Sequence, residues 1–259
     1  MEIALLQTII HWEDKEQNLQ HFSDIINKVK VPVDVFILPE MFTTGFTMNA
    51  KPFAEKLGEL TTKWMLQKAT EKNACIVGSF ITTDGIHNYN TLLWAYPDGT
   101  YKTYHKRHLF RMAGEHQHYS AGKEKIICEY KGFKFLPLIC YDLRFPVWSR
   151  NKIGTSEEYD VLLYVANWPK VRINAWTKLL QARAIENLSY VVGVNRIGFD
   201  GLEKAYNGQS MVIDYKGDII SSCNHFNTTI VVKLDKSKLD YFREKFPAHL
   251  DADEFELKI

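Results

Sequence analysis

The stretch Leu136-Pro137-Leu138-Ile139-Cys140-Tyr141-Asp142-Leu143-Arg144-Phe145-Pro146 constrains this chain more than any other. It begins as a short apolar run with the length of a buried strand. The run stops at a cysteine. Asp142 follows, then Pro146, and proline suits the first turn of a helix. The segment therefore reads as strand, sharp turn and helix, with the thiol at the turn. A helix N-terminus there would supply backbone N–H groups and a partial positive charge, conditions that lower a thiol pKa and stabilise an oxyanion. The competing reading is a structural cysteine, since cysteine is among the most often buried residue types.

Length and charge narrow the classes. A chain of 259 residues holds one large α/β domain or two smaller ones. With 32 basic and 31 acidic residues the formal charge is +1, and no basic run stands out, so nothing points to a nucleic-acid partner. The N-terminus lacks the basic and apolar regions of a signal peptide, and no apolar run is long enough to span a membrane. Cys75, Cys128, Cys140 and Cys223 are widely spaced, without a Cys-x-x-Cys pair. They read as reduced thiols of a cytoplasmic protein.

Along the chain, apolar runs predict strands at 2–10, 34–38, 74–80, 90–96, 160–166, 190–194, 209–214 and 229–234, besides the one ending at Cys140. Asp14-x-x-Gln17 is a candidate capping box before Leu19, Phe22, Ile26 and Val29 at helical spacing. Helices are also predicted at 61–72 and through Trp176, Leu180, Ala184 and Asn187. Residues 101–122 are polar and aromatic without periodicity and read as a functional loop. No linker divides the chain, so a single layered α/β domain over 1–259 is expected, with the last 15–20 residues as a peripheral tail.

Three predicted strands end in polar residues: Glu40, Cys140 and Asn167. Open α/β sheets bind ligands beyond the C-terminal ends of their strands, so Glu40 and Cys140 can share one crevice, with Glu40 as base to the thiol. Glu40 also fits a capping or surface carboxylate. Serine-hydrolase and nucleotide-binding motifs are absent. His105, His108, His116 and His118 cluster in sequence, but their spacing fits no common zinc site, and a Cys–His pair stays open. No metal is expected.

Three ordered motifs then coincide with a known pattern: Leu38-Pro39-Glu40-Met41-Phe42, Tyr104-His105-Lys106-Arg107-His108-Leu109-Phe110, and Leu138 through Pro146. Together with Ala182-Arg183-Ala184-Ile185-Glu186-Asn187 they resemble the nitrilase (carbon–nitrogen hydrolase) superfamily over nearly the whole chain. Tyr164-Val165-Ala166-Asn167-Trp168-Pro169 is similar to the omega-amidase branch. The resemblance implies a four-layer α-β-β-α sandwich, a Glu40–Lys106–Cys140 triad, and an oxyanion held by Lys106 and the Tyr141 N–H. It also implies a second glutamate, best matched by Glu115, that holds Lys106 and the substrate nitrogen, and it implies no cofactor. Omega-amidases act on terminal amides of 2-oxoacids such as 2-oxoglutaramate and 2-oxosuccinamate, and family members commonly dimerise, so a homodimer is expected. Arg144 either grips the substrate carboxylate or pairs with Asp142, while Phe42, Phe46, Phe110, Asn167 and Trp168 are candidate pocket residues. Other amidase, carbamoyl-amide hydrolase or nitrilase chemistry, or a silent binding protein, are the alternatives.

Overall fold

A computed structural model describes residues 1–258. The chain runs β1 (Glu2–Gln7), α1 (Lys15–Lys28), β2 (Val35–Ile37), α2 (Leu60–Lys72), β3 (Cys75–Thr83), β4 (Asn88–Ala95), β5 (Tyr101–His105), α3 (Glu115–His118), β6 (Cys128–Tyr130) and β7 (Phe133–Ile139). It continues through β8 (Val161–Ala166), α4 (Ile173–Asn187), β9 (Tyr190–Asn195), β10 (Ile197–Phe199), β11 (Ala205–Asn207), β12 (Met211–Ile213), β13 (Ile219–Ser222), β14 (Thr228–Lys233) and α5 (Lys236–Lys245). Two six-stranded sheets form, in the orders β14-β1-β2-β3-β4-β5 and β13-β12-β9-β8-β7-β6, and β10 pairs with β11 as a separate ribbon.

The period of two along each strand sorts the residues into layers. In β1 and β2, Ile3, Leu5, Val35 and Ile37 face the second sheet, where Trp94 of β4 meets Phe135 of β7 at 4.8 Å between ring centroids. Ala4, Leu6 and Phe36 face outward onto Leu19, Phe22 and Ile26 of α1 and Met65 and Ala69 of α2. Helix α4 covers the outer face of the second sheet through Trp176, Leu180 and Ala184. It lies so close that a Cβ on Gly193 would sit 2.6 Å from both Leu180 and Trp176 side chains. Helix α5 is tied down by Arg243, which donates to Leu188 O at 2.9 Å, Tyr159 O at 2.7 Å and Asp160 Oδ1 at 3.0 Å. The result is the four-layer α-β-β-α sandwich.

Two expectations change. Residues 101–105 are a strand, β5, at the edge of the first sheet; its first residues are exposed, so no apolar alternation marks it. The helix after the Cys140 strand is a short 3₁₀ turn over Cys140–Arg144, and Pro146 lies beyond its end rather than in its first turn. Asp14 caps α1 as expected, accepting from the Gln17 N–H at 3.0 Å.

The four cysteines are free and buried. Burial pushes Cys75 and Cys128, fully enclosed between the sheets, up to about 12 from an ordinary 9.0. Their folded pKa values lie above the unfolded ones, so their contribution to stability is complete below pH 9 and is lost as pH rises from 9 towards 12. Denaturant melts from pH 8 to 10 should lose stability by about 1.4 kcal/mol per thiol per pH unit above 9, and Cys75→Ala/Cys128→Ala should flatten that slope.

Candidate active site

Register brings the site together. In the second sheet β7 and β8 run parallel with Ile139 opposite Val165, so Cys140 and Asn167 emerge side by side just past the strand ends. In the first sheet Glu40 follows β2 and Lys106 follows β5. The two sheets face each other, and all four residues are less than one-tenth exposed.

The chain turns sharply at both key positions. Cys140 has φ +42° and Met41, next to Glu40, φ +44°; neither is glycine, and such left-handed residues cost about 1–3 kcal/mol each. Asp142 holds the first of these turns. Its Oδ2 accepts from Ile139 N–H at 3.0 Å and Tyr104 O–H at 2.7 Å, and its Oδ1 lies 2.9 Å from His108 N and 2.8 Å from His108 Nδ1. One buried carboxylate thus joins the Cys140 turn to the segment that carries Lys106. Burial beside Asp142 raises the Tyr104 phenol well above its ordinary range, which keeps it a donor.

Lys106 sits between two carboxylates, with Nζ 2.8 Å from Glu40 Oε1 and 2.9 and 3.0 Å from the two oxygens of Glu115. Burial alone would lower the Lys106 pKa, but the charges of Glu115 and Glu40 outweigh it and the ammonium is strengthened. Burial raises Glu115, with Lys106 opposing, and Glu115 Oε2 also accepts from Phe110 N–H at 2.5 Å. Glu40 is held on every side. Its Oε1 also accepts from Asn90 Nδ2 at 2.8 Å, its Oε2 from Asn167 N–H at 2.8 Å, and its backbone carbonyl from Asn167 Nδ2 at 2.6 Å.

The thiol behaves opposite to the expectation from a helix N-terminus. Burial pushes Cys140 well above the ordinary thiol range, the Glu40 charge adds to this, and Lys106 only partly offsets it. A free thiolate would add a second excess negative charge to a site that already holds Glu40 and Glu115 against Lys106. Passing the thiol proton to Glu40 leaves the net charge unchanged, so the geometry favours attack coupled to proton transfer. The Tyr141 N–H is one of the first amides of the 3₁₀ turn, which lack partners within a helical turn and are free to donate.

Cys140, Tyr141, Lys106 and Asn167 line a cavity of about 180 Å³, with Glu40 and Glu115 bonded to Lys106 behind that lining. Phe46, Phe110 and Trp168 line its walls, and Arg144, Arg172 and Lys204 stand around it with no acidic side chain among the lining residues. Among the described residues Arg144 makes no ion pair; its guanidinium lies over Trp168, 5.1 Å from the ring centroid. Asp142 bonds Ile139, Tyr104 and His108, and no Arg144–Asp142 pair forms among the described residues. Phe42 is not a pocket residue: it is fully buried in the outer core against Phe22 and Trp64. No histidine is among the described residues that line the cavity; His105 bonds Thr91 and His108 bonds Asp142. Asn90, Arg172, Lys204 and Tyr206 were not singled out from sequence. Asn90 shares the polar end of β4 with Asn88 and Thr91, so the strand's pattern does not single it out.

Comparison with known proteins places this site in a class. The carbon–nitrogen hydrolase family model matches residues 2–244, and the chain belongs to that family. Its similarity extends to particular members. It is 47% identical to omega-amidase YafV of Escherichia coli K12 over 99% of this chain and 98% of that protein. It is 33% identical to 2-oxoglutaramate amidase of Bacillus subtilis over 96% of each. Among solved structures, XC1258 from Xanthomonas campestris, described as a CN-hydrolase superfamily protein with an arsenic adduct in its active site, superimposes with a TM-score of 0.97. The two are 39% identical, over 100% of this chain and 99% of that one.

Proposed function

We propose that this hydrolase is an omega-amidase that releases ammonia from the terminal amide of a short 2-oxoacid amide such as 2-oxoglutaramate or 2-oxosuccinamate. The observation that carries the reading is a buried Cys140–Glu40–Lys106–Glu115 cluster beneath a small pocket whose only charged lining groups are cations. The names of the similar proteins support it.

The steps follow from the contacts. As Sγ of Cys140 attacks the amide carbonyl carbon, its proton passes to Glu40. The carbonyl oxygen becomes an oxyanion, stabilised by the Tyr141 N–H and the Lys106 ammonium. Collapse breaks the C–N bond, and Glu40 returns the proton to nitrogen, which leaves as ammonia. Water then gives a proton to Glu40 and its oxygen attacks the thioester. The C–S bond breaks, the proton returns to sulfur, and the acid departs. Glu115 fixes Lys106.

The cations set substrate charge. Arg144 pairs with the distal carboxylate in this reading. An α-ammonium group, as in glutamine, would meet Arg144, Arg172 and Lys204 with no acid to receive it, whereas a 2-oxo group accepts hydrogen bonds from them. The test is ammonia release from 2-oxoglutaramate, glutamine, a short aliphatic amide and a nitrile. The oxoacid amide is expected to be favoured, and preference for glutamine or the nitrile would overturn the reading. Arg144→Ala should lower kcat/KM for 2-oxoglutaramate by about 10- to 100-fold, the scale of a lost charged hydrogen bond, with little change for the uncharged amide.

No described helix is long and apolar enough to cross a membrane. A cytoplasmic homodimer belongs to the same proposal. Exposed Tyr241, Phe246 and Leu250 near the C-terminus support association, and sedimentation as a monomer at micromolar concentration would overturn it.

A further inference from the structure

Asn167 has one side-chain atom with nothing to do. The residue is 4% exposed and lines the cavity beside Cys140 and Lys106. Its amide cannot turn over, because Nδ2 donates to the backbone carbonyl of Glu40 at 2.6 Å, and a carbonyl only accepts. Its backbone is fixed as well. The Asn167 N–H donates to Glu40 Oε2 at 2.8 Å, and the next residue is clamped by Asn195. Asn195 Oδ1 accepts from Trp168 N–H at 2.8 Å, and its Nδ2 donates to Trp168 O at 3.0 Å. This leaves Asn167 Oδ1 buried without a hydrogen-bond partner. Such an acceptor is costly unless something arrives to fill it.

The neighbouring carboxylate oxygens each hold a donor already, whereas Asn167 Oδ1 holds none. Both oxygens of Glu40 and both of Glu115 hold donors from Lys106, Asn90, Asn167 or Phe110. Asn90 Oδ1 is also unpartnered, but Asn90 does not line the cavity. The substrate class argued above brings two N–H donors on its carboxamide nitrogen to the point where Cys140 attacks. A carboxylic ester of the same acid brings none.

We infer that Asn167 Oδ1 accepts a hydrogen bond from the carboxamide N–H of the substrate and so selects primary amides over esters. This rests on the amidase reading and adds to it the atom that recognises the leaving group. A site built to bond a substrate N–H discriminates against analogues that lack it because its own acceptor is then stranded. During acylation the bond also holds the nitrogen while Glu40 delivers its proton. Sγ–C forms, C–N breaks and ammonia leaves. With an ester C–O breaks and an alcohol leaves, giving the same thioester.

The experiment compares kcat/KM for 2-oxoglutaramate and for the 5-methyl ester of 2-oxoglutarate in the wild-type protein, Asn167→Ala, Asn167→Leu and Asn167→Asp. Leucine approximates the shape of asparagine and covers the case in which alanine fails to fold, which thermal melting reports. The amide should lose about 10- to 100-fold more than the ester in Asn167→Ala or Asn167→Leu. Aspartate keeps an acceptor, so Asn167→Asp should restore most of the amide-to-ester ratio while lowering both rates through its lost bond to Glu40. Equal losses for amide and ester would mean that Asn167 acts only by holding Glu40, and would overturn the inference. So would a ratio that stays at the wild-type value in alanine and leucine, or one as low in aspartate as in them. A wild-type protein that releases no ammonia from any amide overturns the amidase reading, and this inference with it.

Discussion

Cys140→Ala should release no ammonia above background from any amide the wild-type protein accepts, a fall on the order of 10⁶ in kcat, as when a covalent nucleophile is removed from a catalytic unit. The size follows from the arrangement. Among the described residues that line the cavity, Cys140 is the only cysteine and there is no serine or threonine. The fold should scarcely notice. Cys140 lies at the cavity and its left-handed turn is held by Asp142, whose bonds do not involve the thiol. A melting temperature within a few degrees of wild type, with activity at background, is the expected pair of results. Residual turnover within a hundredfold of wild type would show that Cys140 is not the nucleophile.

Lys106→Met should fail in two ways at once. The substitution removes the cation from between Glu40 and Glu115, both fully buried. Leaving buried charge uncompensated costs about 3–5 kcal/mol. The protein escapes part of that cost by binding a proton on the carboxylate pair. A protonated Glu40 cannot take the thiol proton, so the loss in kcat should exceed the roughly 10²–10³ expected from one missing oxyanion donor. The pH dependence has a definite sign. Burial already raises Glu115 and the Lys106 charge opposes it, so without Lys106 the proton bound there stabilises at low pH and its contribution is lost as pH rises. Melting temperatures of variant and wild type should therefore converge as pH is lowered from 8 towards 5. A stability gap that widens on acidification would contradict this account of the site.

Much of this arrangement is legible in the sequence. Buried strands such as β2, β7 and β8 announce themselves as apolar runs, and polar residues at their ends mark where a crevice must lie. The ordered motifs around Glu40, Lys106 and Cys140 marked the residues that the two sheets bring together. What escaped the sequence depends on distant neighbours. The Cys140 thiol is raised because Glu40, a hundred residues earlier, faces it in a closed space; a local turn cannot reveal that. Phe42 and Phe46 look alike as aromatic residues after a strand, yet one enters the core against Phe22 and Trp64 while the other lines the cavity. Arg172 and Lys204 reach the same cavity from α4's approach and from the turn between β10 and β11, segments with no chemical signature of their own.

The division of the site between two sheets has a consequence for how activity arises. Glu40 and Lys106 belong to one sheet, Cys140 and Asn167 to the other, and Asp142 ties the Cys140 turn to the Lys106 segment. Neither sheet alone owns a base and a nucleophile. A folding intermediate with every strand paired but the sheets undocked would look native by backbone content and be chemically inert. Its cysteine would be an ordinary thiol in water, with no carboxylate to receive its proton. In the proposed mechanism turnover is thus a property of the interface between the two sheets, present only once they are docked.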